Sequence, residues 1–365
     1  MSMRLVIAGG GTGGHIFPAL AIAGALKKLE PAIDILFVGA IGKMEMEKVP
    51  QAGYPIEGLD IVGFNRSSLI KNIALPWKLL KSFWRVRKLL QRFKPSAVLG
   101  VGGYSSFPVL RMAQLMHIPT FLHEANAYAG RSNQLLAKKA SCVFAGVKGL
   151  DRFFPEHKII YTGNPVRAAI AHTTINPAEA SIHFGLDPLR PTLLVVGGSL
   201  GARSINESIA VGLDQLIAQG LQVIWQTGKP YAREAAQLCQ GKKGVWTSAF
   251  IDQMELAYAA ATLIVARAGA MTVAEIAVAA KPAILVPFPF AAEDHQTANA
   301  LSLVQAGAGV LVADHAAATT LIATVIALAQ QENKRLEMIQ QLKPLGIRDA
   351  DERVAKELIK RLENK

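Results

Sequence analysis

Two stretches of this chain have the same form, and that repeat constrains the fold more than any other feature of the sequence. "RLVIAGGGTGG" (4–14) and "TLLVVGGSLGA" (192–202) each run from a short apolar segment into a glycine loop and then into a helical pattern. Short apolar segments alternate with helical patterns along the rest of the chain, which is typical of parallel sheets covered on both faces. The sequence therefore predicts an α/β protein of two doubly wound domains.

The boundary between the two domains is expected at the turn-rich stretch "YTGNPVR", 161–167. A chain of 365 residues is long enough for two domains. We place the first at 1–163 and the second at 164–344. The last helical pattern, 345–365, either completes the first domain or stands apart from it, and the sequence alone leaves that choice open.

Composition excludes several classes of protein. Hydrophobic residues make up 51% of the chain and charged residues 18%, which is typical of a globular protein with a large core rather than of a disordered chain. Cys142 and Cys239 are the only cysteines, so we expect no disulfide framework and favour a reducing cytoplasm. We find no apolar run long enough to cross a bilayer and no signal-peptide core.

Positive charge is concentrated in the first half of the chain. The net charge is +12, and no acidic residue lies between Asp60 and Glu124. The basic residues of that interval are Arg66, Lys71, Lys78, Lys81, Arg85, Arg87, Lys88, Arg92, Lys94 and Arg111. This distribution predicts an anionic partner, which could be a nucleic acid, an acidic lipid or a phosphorylated substrate.

Three glycine loops, 9–14, 102–105 and 197–202, are candidate anion sites because each leads from a strand into a helix. The first fits a dinucleotide fingerprint, but the second strand ends in "LFVGAIGK" without the carboxylate that would bind a ribose, which argues against a dehydrogenase. Two readings stay open. Either the glycines only form tight turns, or the loops bind a polyanion such as a diphosphate.

His15 directly follows the first glycine loop, at the predicted start of a helix. The positive end of the helix dipole disfavours an imidazolium there, and a neutral imidazole is what a general base requires. The alternative is a histidine that only caps or packs against the turn.

Several segments, taken together, resemble the MurG family of bacterial glycosyltransferases. In the family's order, they read "GGGTGGHIFPAL", "GGYSSFPVL", "LHEANAYAG", "TGNPVR", "GGSLGAR", "RAGAMTVAEI" and "PAILVPFPFAAEDHQTANA". The resemblance implies the GT-B fold, in which two Rossmann-like domains face each other across a cleft. It also implies inverting transfer of N-acetylglucosamine (GlcNAc) from UDP-GlcNAc to the 4-hydroxyl of N-acetylmuramic acid (MurNAc) in lipid I. That acceptor is undecaprenyl-diphosphate-linked MurNAc-pentapeptide, and the product is lipid II for peptidoglycan synthesis.

The resemblance further implies roles for individual donor-side residues. Ser199 would contact a donor phosphate, and the backbone of Ile251 would read the uracil edge. Glu275 would accept the ribose hydroxyls, and Gln296, with Thr297 beside it, would read the sugar hydroxyls. The other donor-side residues that the family pattern implies are Thr12, Gly13, Gly14, Asn126, Arg167, Ala270, Met271 and Thr272.

On the acceptor side, the resemblance implies that Gly11, Gly103 and Tyr104 bind the diphosphate of lipid I. His15 is our first choice for the base that deprotonates the acceptor hydroxyl, and Glu124 with His123 is the second. Helix N-termini and Arg167 would stabilise the leaving diphosphate, so no cofactor and no metal are implied.

A basic helix predicted at 76–93 suggests where the protein works. Lys78, Lys81, Arg85, Lys88 and Arg92 recur at spacings of three and four and form one stripe beside an apolar face. We expect this helix to dock peripherally on the anionic cytoplasmic face of the bacterial inner membrane, with Ile73, Leu75 and Trp77 as its exposed apolar part. The alternative is an ordinary core helix with a solvated basic face.

Two other functions, one enzymatic and one of a binding protein, compete with the transferase interpretation. A nucleotide-sugar epimerase could share the donor half, but "GGTGGH" and "LHEANAYAG" fit the transferase instead. A nucleic-acid-binding module would need a reading motif within the basic interval, and we find none, so no nucleic-acid partner is expected.

Overall fold

A computed structural model describes residues 3–61, 75–198 and 200–363 of the chain, and for 75–80 it describes the backbone only. The chain divides into two compact units, one formed by Met1–Arg167 with Asp349–Lys365 and the other by Ala168–Arg348. Within the described residues, no helix has both the length and the apolar run needed to cross a membrane.

The first unit is built on a seven-stranded parallel sheet with the order β3-β2-β1-β4-β5-β6-β7. Its strands are β1 (Arg4–Ala8), β2 (Asp34–Ala40), β3 (Ile56–Leu59), β4 (Ala97–Gly100), β5 (Thr120–Glu124), β6 (Cys142–Ala145) and β7 (Ile159–Tyr161). Its helices are α1 (Gly13–Leu29), α2 (Glu45–Gln51), α3 (Leu75–Phe93), α4 (Ser106–Leu115), α5 (Arg131–Ala137) and, from the end of the chain, α15 (Ala350–Glu363).

Strand β1 explains why this unit needs helices on both faces of its sheet. Its side chains alternate between the two faces, as in any strand. Leu5 and Ile7 pack in one cluster with α1 and α15, whereas Val6 and Ala8 pack in another with α3, α4 and α5. All four are fully buried. The continuous apolar run "LVIA" is therefore buried on both sides, as in other parallel sheets.

The last helix of the chain packs on the first unit. Val354, Ala355 and Leu358 of α15 are buried in the same cluster as Leu5 and Ile7. An ion pair between Lys28 of α1 and Glu352 of α15 lies at the surface of this contact.

The second unit is built on a six-stranded parallel sheet with the order β10-β9-β8-β11-β12-β13. Its strands are β8 (Thr192–Val196), β9 (Gln222–Gln226), β10 (Val245–Ser248), β11 (Leu263–Ala266), β12 (Ala283–Leu285) and β13 (Gly309–Leu311). Its helices are α6 (Ala168–Ala171), α7 (Pro177–His183), α8 (Arg203–Ala218), α9 (Ala232–Cys239), α10 (Met254–Ala260), α11 (Ala270–Ala279), α12 (His295–Val304), α13 (Ala317–Gln330) and α14 (Glu332–Leu342).

Strand order reverses at one point in each sheet, between β1 and β4 in the first unit and between β8 and β11 in the second. Ligands of open α/β sheets bind beyond the carboxyl ends of the strands at such a switch point. The loops that follow these four strands are 9–12, 101–105, 197–202 and 267–269. They contain the glycine loops predicted at 102–105 and 197–202 and the first four residues of the one predicted at 9–14, whose last two residues begin α1.

Candidate active site

The first two glycine loops touch each other through backbone atoms. The amide of Gly10 donates to the carbonyl of Gly102, at 3.2 Å between N and O. A Cβ on Gly103 would lie 2.2 Å from the carbonyl oxygen of Gly10, and Gly103 also has a φ of +88°. No larger residue fits at Gly103. The role of glycine here is therefore to let the two loops approach closely, in addition to allowing the positive φ.

Glu45, which the sequence argument missed, holds the first glycine loop through hydrogen bonds to backbone amides. Its carboxylate accepts hydrogen bonds from the amides of Gly11 at 2.9 Å and Ala40 at 3.0 Å, and the residue is 0% exposed. A carboxylate therefore does reach the loop from beyond β2, but it binds backbone amides of the loop and of the strand end. Since the amide of Gly11 donates to Glu45, an acceptor diphosphate at this loop would be held by other groups of the loop.

His15 lies in the first turn of α1, half-buried against the second glycine loop. A Cβ on Gly102 would come within 2.7 Å of its Nε2. Its Nδ1 is 3.2 Å from the carbonyl oxygen of Gly10 and 3.2 Å from Oγ1 of Thr12. Because a carbonyl oxygen can only accept, this contact assigns the proton to Nδ1 and leaves Nε2 as the basic nitrogen of the neutral ring.

Glu124, at the carboxyl end of β5, anchors the loop that follows it. The buried carboxylate accepts from the amide and the side chain of Asn126, from the amide of Gly130 and from the side chain of Asn133, at 2.8–3.3 Å. Burial raises the pKa of Glu124, and these hydrogen bonds oppose that rise. The arrangement fixes the position of Asn126, another predicted site residue.

His123 is buried beside Glu124 in the sequence, on the other face of β5. Burial lowers its pKa to about 4, against a smaller opposing effect from its hydrogen bond to the backbone of Gly163. The positive form of His15 would lower the pKa of His123 further. Within the described residues, Nε2 of His123 has no hydrogen-bond partner, so the ring stays neutral at neutral pH.

The remaining predicted residues of the first unit also follow its strands. Tyr104 is exposed in the loop after β4. Thr12 is exposed before α1, whose first residues are Gly13 and Gly14. The guanidinium of Arg167 lies 5.7 Å from the ring centre of Phe17.

In the second unit, Glu275 of α11 is nearly buried and hydrogen-bonded. The hydroxyl of Tyr258, on α10, donates to Oε2 of Glu275 at 3.1 Å. Sequence reasoning missed Tyr258, because nothing in its spacing marks it apart from the other apolar residues of α10. The predicted residues Ala270, Met271 and Thr272 form the first turn of α11, where backbone amides have no partner within the helix.

The other described donor-side predictions of the second unit, Ile251 and Gln296, follow β10 and β12. Because the side chain of Ile251 is buried, a ligand would contact this residue through its backbone. Gln296 lies in the first turn of α12, and its Oε1 accepts from the amide of Phe288 at 2.9 Å. Gly201 follows β8 and packs on Gly228, where a Cβ would lie 2.2 Å from the Gly201 nitrogen. Ser199 lies outside the described residues.

Comparison with known proteins identifies the class of this fold. The N-terminal domain model of glycosyltransferase family 28 matches residues 5–145, and the C-terminal domain model of that family matches residues 192–354. A crystal structure of MurG from Acinetobacter baumannii superposes with a TM-score of 0.78 at 29% identity, covering 98% of this chain and 99% of that one. Two Rossmann-like units of this kind define the GT-B fold, and the two family models make the chain a glycosyltransferase of that fold.

Two relatives narrow the family. A protein of Phocaeicola vulgatus is 48% identical over 98% of this chain and 96% of its own length. One of Flavobacterium psychrophilum is 42% identical over 99% of this chain and 98% of its own. Both are named UDP-N-acetylglucosamine–N-acetylmuramyl-(pentapeptide) pyrophosphoryl-undecaprenol N-acetylglucosamine transferase. The chain belongs to the MurG family, and both the resemblance drawn from its motifs and the predicted fold class are confirmed.

The epimerase fold is similar as well. UDP-GlcNAc 2-epimerase from Neisseria meningitidis has a TM-score of 0.69 at 18% identity, covering 98% of this chain and 100% of that one. At this identity the likeness concerns the fold alone.

The lowered pKa of His123 predicts a pH-dependent loss of stability. An unfolded histidine titrates near 6.5, so the unfolded chain takes up a proton that the folded chain refuses until about pH 4. Stability from this group is complete above pH 6.5 and falls as the pH drops towards 4. We expect a loss of about 2 kcal/mol between pH 7 and pH 5.

Urea unfolding at the two pH values measures this loss. His123→Asn should show a pH dependence smaller by that amount, whereas His157→Asn, at an exposed histidine of the same unit, should not. Equal pH dependence in the wild type and in His123→Asn would contradict the assignment.

Proposed function

We propose that this chain transfers GlcNAc from UDP-GlcNAc to the 4-hydroxyl of MurNAc in lipid I, with inversion, and so forms lipid II. The observation that carries the proposal is 48% identity over 98% of the chain to a relative named for that transfer. The predicted site residues support it, because in both units they follow the carboxyl ends of the strands.

The second unit is proposed to bind the donor. Glu275 accepts the ribose hydroxyls, with Tyr258 holding one of its oxygens. Backbone amides in the first turn of α11, at 270–272, face the donor diphosphate with the positive end of the helix. Gln296, with its Oε1 already bonded to the amide of Phe288, presents its Nε2 group to a sugar hydroxyl. The roles of Ile251 and Ser199 are carried over from the family pattern.

The first unit is proposed to supply the base. His15 has its proton on Nδ1, so Nε2 can take the proton of the acceptor hydroxyl as that oxygen attacks C1 of the donor sugar. The C1–O bond to UDP breaks as the new bond forms. Glu124 is a weaker candidate, since its buried carboxylate already accepts four hydrogen bonds. We assign it the task of holding Asn126.

Electrostatics are proposed to stabilise the leaving UDP. Arg167 and the amides at helix N-termini supply positive charge and hydrogen-bond donors, which is how such sites stabilise developing charge. Gly103 and Tyr104 are proposed to contact the acceptor diphosphate together with the first glycine loop, although the Gly11 amide is bonded to Glu45.

Helix α3 is proposed to dock the protein on an anionic membrane surface. Val86, Leu89 and Leu90 are buried, so they form the face that packs on the unit. Trp84 is 59% exposed, and the ammonium of Lys88 lies 3.6 Å from its ring centre. Exposed tryptophan next to lysine suits the interface between water and lipid. On this support we propose that the protein works peripherally, on the cytoplasmic face of the inner membrane.

The structure qualifies the predicted basic stripe at both ends. Arg92 forms a surface ion pair with Glu57 at 2.5 Å, so a carboxylate from before the acid-free interval reaches it. The side chains of Leu75, Trp77 and Lys78, and the whole of Ile73, lie outside the described residues. Lys81, Arg85 and Lys88 are the exposed basic residues that carry the proposal.

The transfer itself is tested with purified protein, labelled UDP-GlcNAc and a lipid I analogue. We expect a β-linked GlcNAc–MurNAc product and release of UDP only when the acceptor is present. Turnover of UDP-GlcNAc alone to a 2-epimer would favour the epimerase function, and a folded protein without product would refute the proposal.

His15→Ala should lower kcat by about a hundredfold or more, because it removes the proposed base, while the affinity for UDP stays nearly intact. Steady-state kinetics and calorimetry with UDP measure the two effects. His157→Ala, at an exposed histidine, is the control. Near-normal turnover in the His15 variant would move the role to another group.

Membrane docking is tested by co-sedimentation with vesicles that contain or lack anionic lipid. Each basic residue near such a surface adds about 1 kcal/mol, screened by salt. Changing Lys81, Arg85 and Lys88 to Glu should therefore abolish binding, while transfer to a soluble acceptor persists. Changing the exposed Arg233, Lys243 and Lys334 of the second unit to Glu alters net charge equally and is the control. Equal losses in both triple variants, or equal binding to neutral vesicles, would refute the docking proposal.

A further inference from the structure

Arg267, directly after β11, contacts the segments that follow three other strands of the second unit. Its guanidinium is nearly buried, with 13% of the side chain exposed, and pairs with Asp314 at 2.5 Å. It also donates to Oγ of Ser204 at 3.1 Å and to the carbonyls of Val286 and Pro287 at 3.0 and 3.1 Å. These partners follow β8, β12 and β13, all at the carboxyl edge of the sheet.

Two of those partners begin the segment 286–296, which ends at Gln296 and which we call the sugar segment. Beyond Pro287, the ring centre of Phe288 lies 5.5 Å from the Arg267 guanidinium. The amide of Phe288 in turn donates to Oε1 of Gln296 at 2.9 Å. A continuous series of contacts therefore leads from Arg267 to the side chain of Gln296.

The sugar segment adopts a conformation that needs such support. Glu293 and Asp294 are consecutive non-glycine residues with φ of +56° and +52°, in the left-handed region. This strained backbone persists only where surrounding contacts determine it, and it concentrates at functional sites. The far end of the segment is held locally, by Nδ1 of His295 near the carbonyl of Ala292 and by Thr297 donating to Asp294. Arg267 holds the near end.

The planar fork of arginine suits this task in a way that lysine does not. One nitrogen, Nη1, shares its two hydrogens among Asp314 and both carbonyls of the sugar segment, while Nη2 donates to Ser204. An ammonium group is a compact point charge on a flexible stem and lacks that geometry. Replacement by lysine would keep the charge beside Asp314 but loosen the hold on the segment.

We propose that Arg267 is a positioning residue that fixes the sugar segment and thereby determines which donor sugar the enzyme accepts. It acts through Gln296 and leaves nucleotide recognition, which we assign to Ile251 and Glu275, unchanged. This inference rests on the proposed function, in which Gln296 reads the sugar hydroxyls.

The test compares Arg267→Lys with the wild type, using kcat/KM for UDP-GlcNAc and for its 4-epimer UDP-GalNAc, and calorimetry with UDP. We expect kcat/KM for UDP-GlcNAc to fall about tenfold and the preference over UDP-GalNAc to fall at least about fivefold. UDP affinity should stay within about twofold, because UDP carries no sugar to read. Arg233→Lys, at an exposed arginine of the same unit, is the matched control.

A role confined to folding would give a different result. It would lower the affinity for UDP and the activity with both donors in parallel, leaving the preference unchanged, and that outcome would overturn the inference. If Arg267→Lys does not fold, Ser204→Ala removes a single contact of the guanidinium and should lower the same preference by about twofold. A folded Ser204→Ala protein with the wild-type preference would then overturn it.

Gln296→Ala separates the inference from the proposed function on which it rests. Loss of donor preference in Gln296→Ala but not in Arg267→Lys would refute the positioning role of Arg267 alone. Wild-type preference in Gln296→Ala would instead refute the assignment of Gln296 as the sugar reader.

Discussion

The close approach of backbone to backbone at the switch point of the first sheet is the constraint on which the candidate site depends. The loops after β1 and β4 touch at Gly10 and Gly103. A Cβ on Gly103 would lie 2.2 Å from the carbonyl oxygen of Gly10, so no side chain fits there. That contact places His15 against Gly102 and aligns its Nδ1 with the Gly10 carbonyl. The tautomer of the proposed base thus follows from a packing requirement between two loops. The second unit has a similar backbone contact between two loops, where Gly201 after β8 meets Gly228 after β9.

Buried carboxylates in the first unit shape loops rather than carry charge to a substrate. Glu45 and Glu124 each accept hydrogen bonds from amides of the segments that would face a ligand. An isolated carboxylate would be costly to bury, and these bonds offset that cost while they fix the loop geometry. In the second unit, the carboxylate of Asp314 likewise has a structural role, because it pairs with Arg267. Polar groups next to the site are therefore largely occupied in keeping it in shape.

The alternation of apolar segments, glycine loops and helical patterns predicted the two parallel sheets and the position of His15 at the start of a helix. Both features depend on residues close together in the sequence. Glu45, Tyr258 and Arg267 could not be assigned their partners in that way. Each acts through a contact with a residue distant in the sequence, such as Glu45 with Gly11 or Arg267 with Asp314. Helix α3 shows the same limit. Its period indicated an apolar face, but only the packing showed that Val86 is buried and Trp84 exposed.

Proton transfer is assigned to the first unit in this proposal, and reading of the donor ribose and sugar to the second, and the electrostatics of each unit suit its part. A general base must stay neutral until it takes a proton, and His15 has for a neighbour the buried His123, whose pKa of about 4 keeps it uncharged at neutral pH. A charged neighbour would disturb that balance. Recognition in the second unit instead depends on fixed geometry, supplied by the hydroxyl of Tyr258 on Glu275 and by the guanidinium of Arg267 on the sugar segment. Since neither group needs to change its protonation, both can be held by permanent hydrogen bonds. A side chain that reads hydroxyls gains selectivity from being immobile, whereas a base depends on a ring nitrogen that can take up a proton.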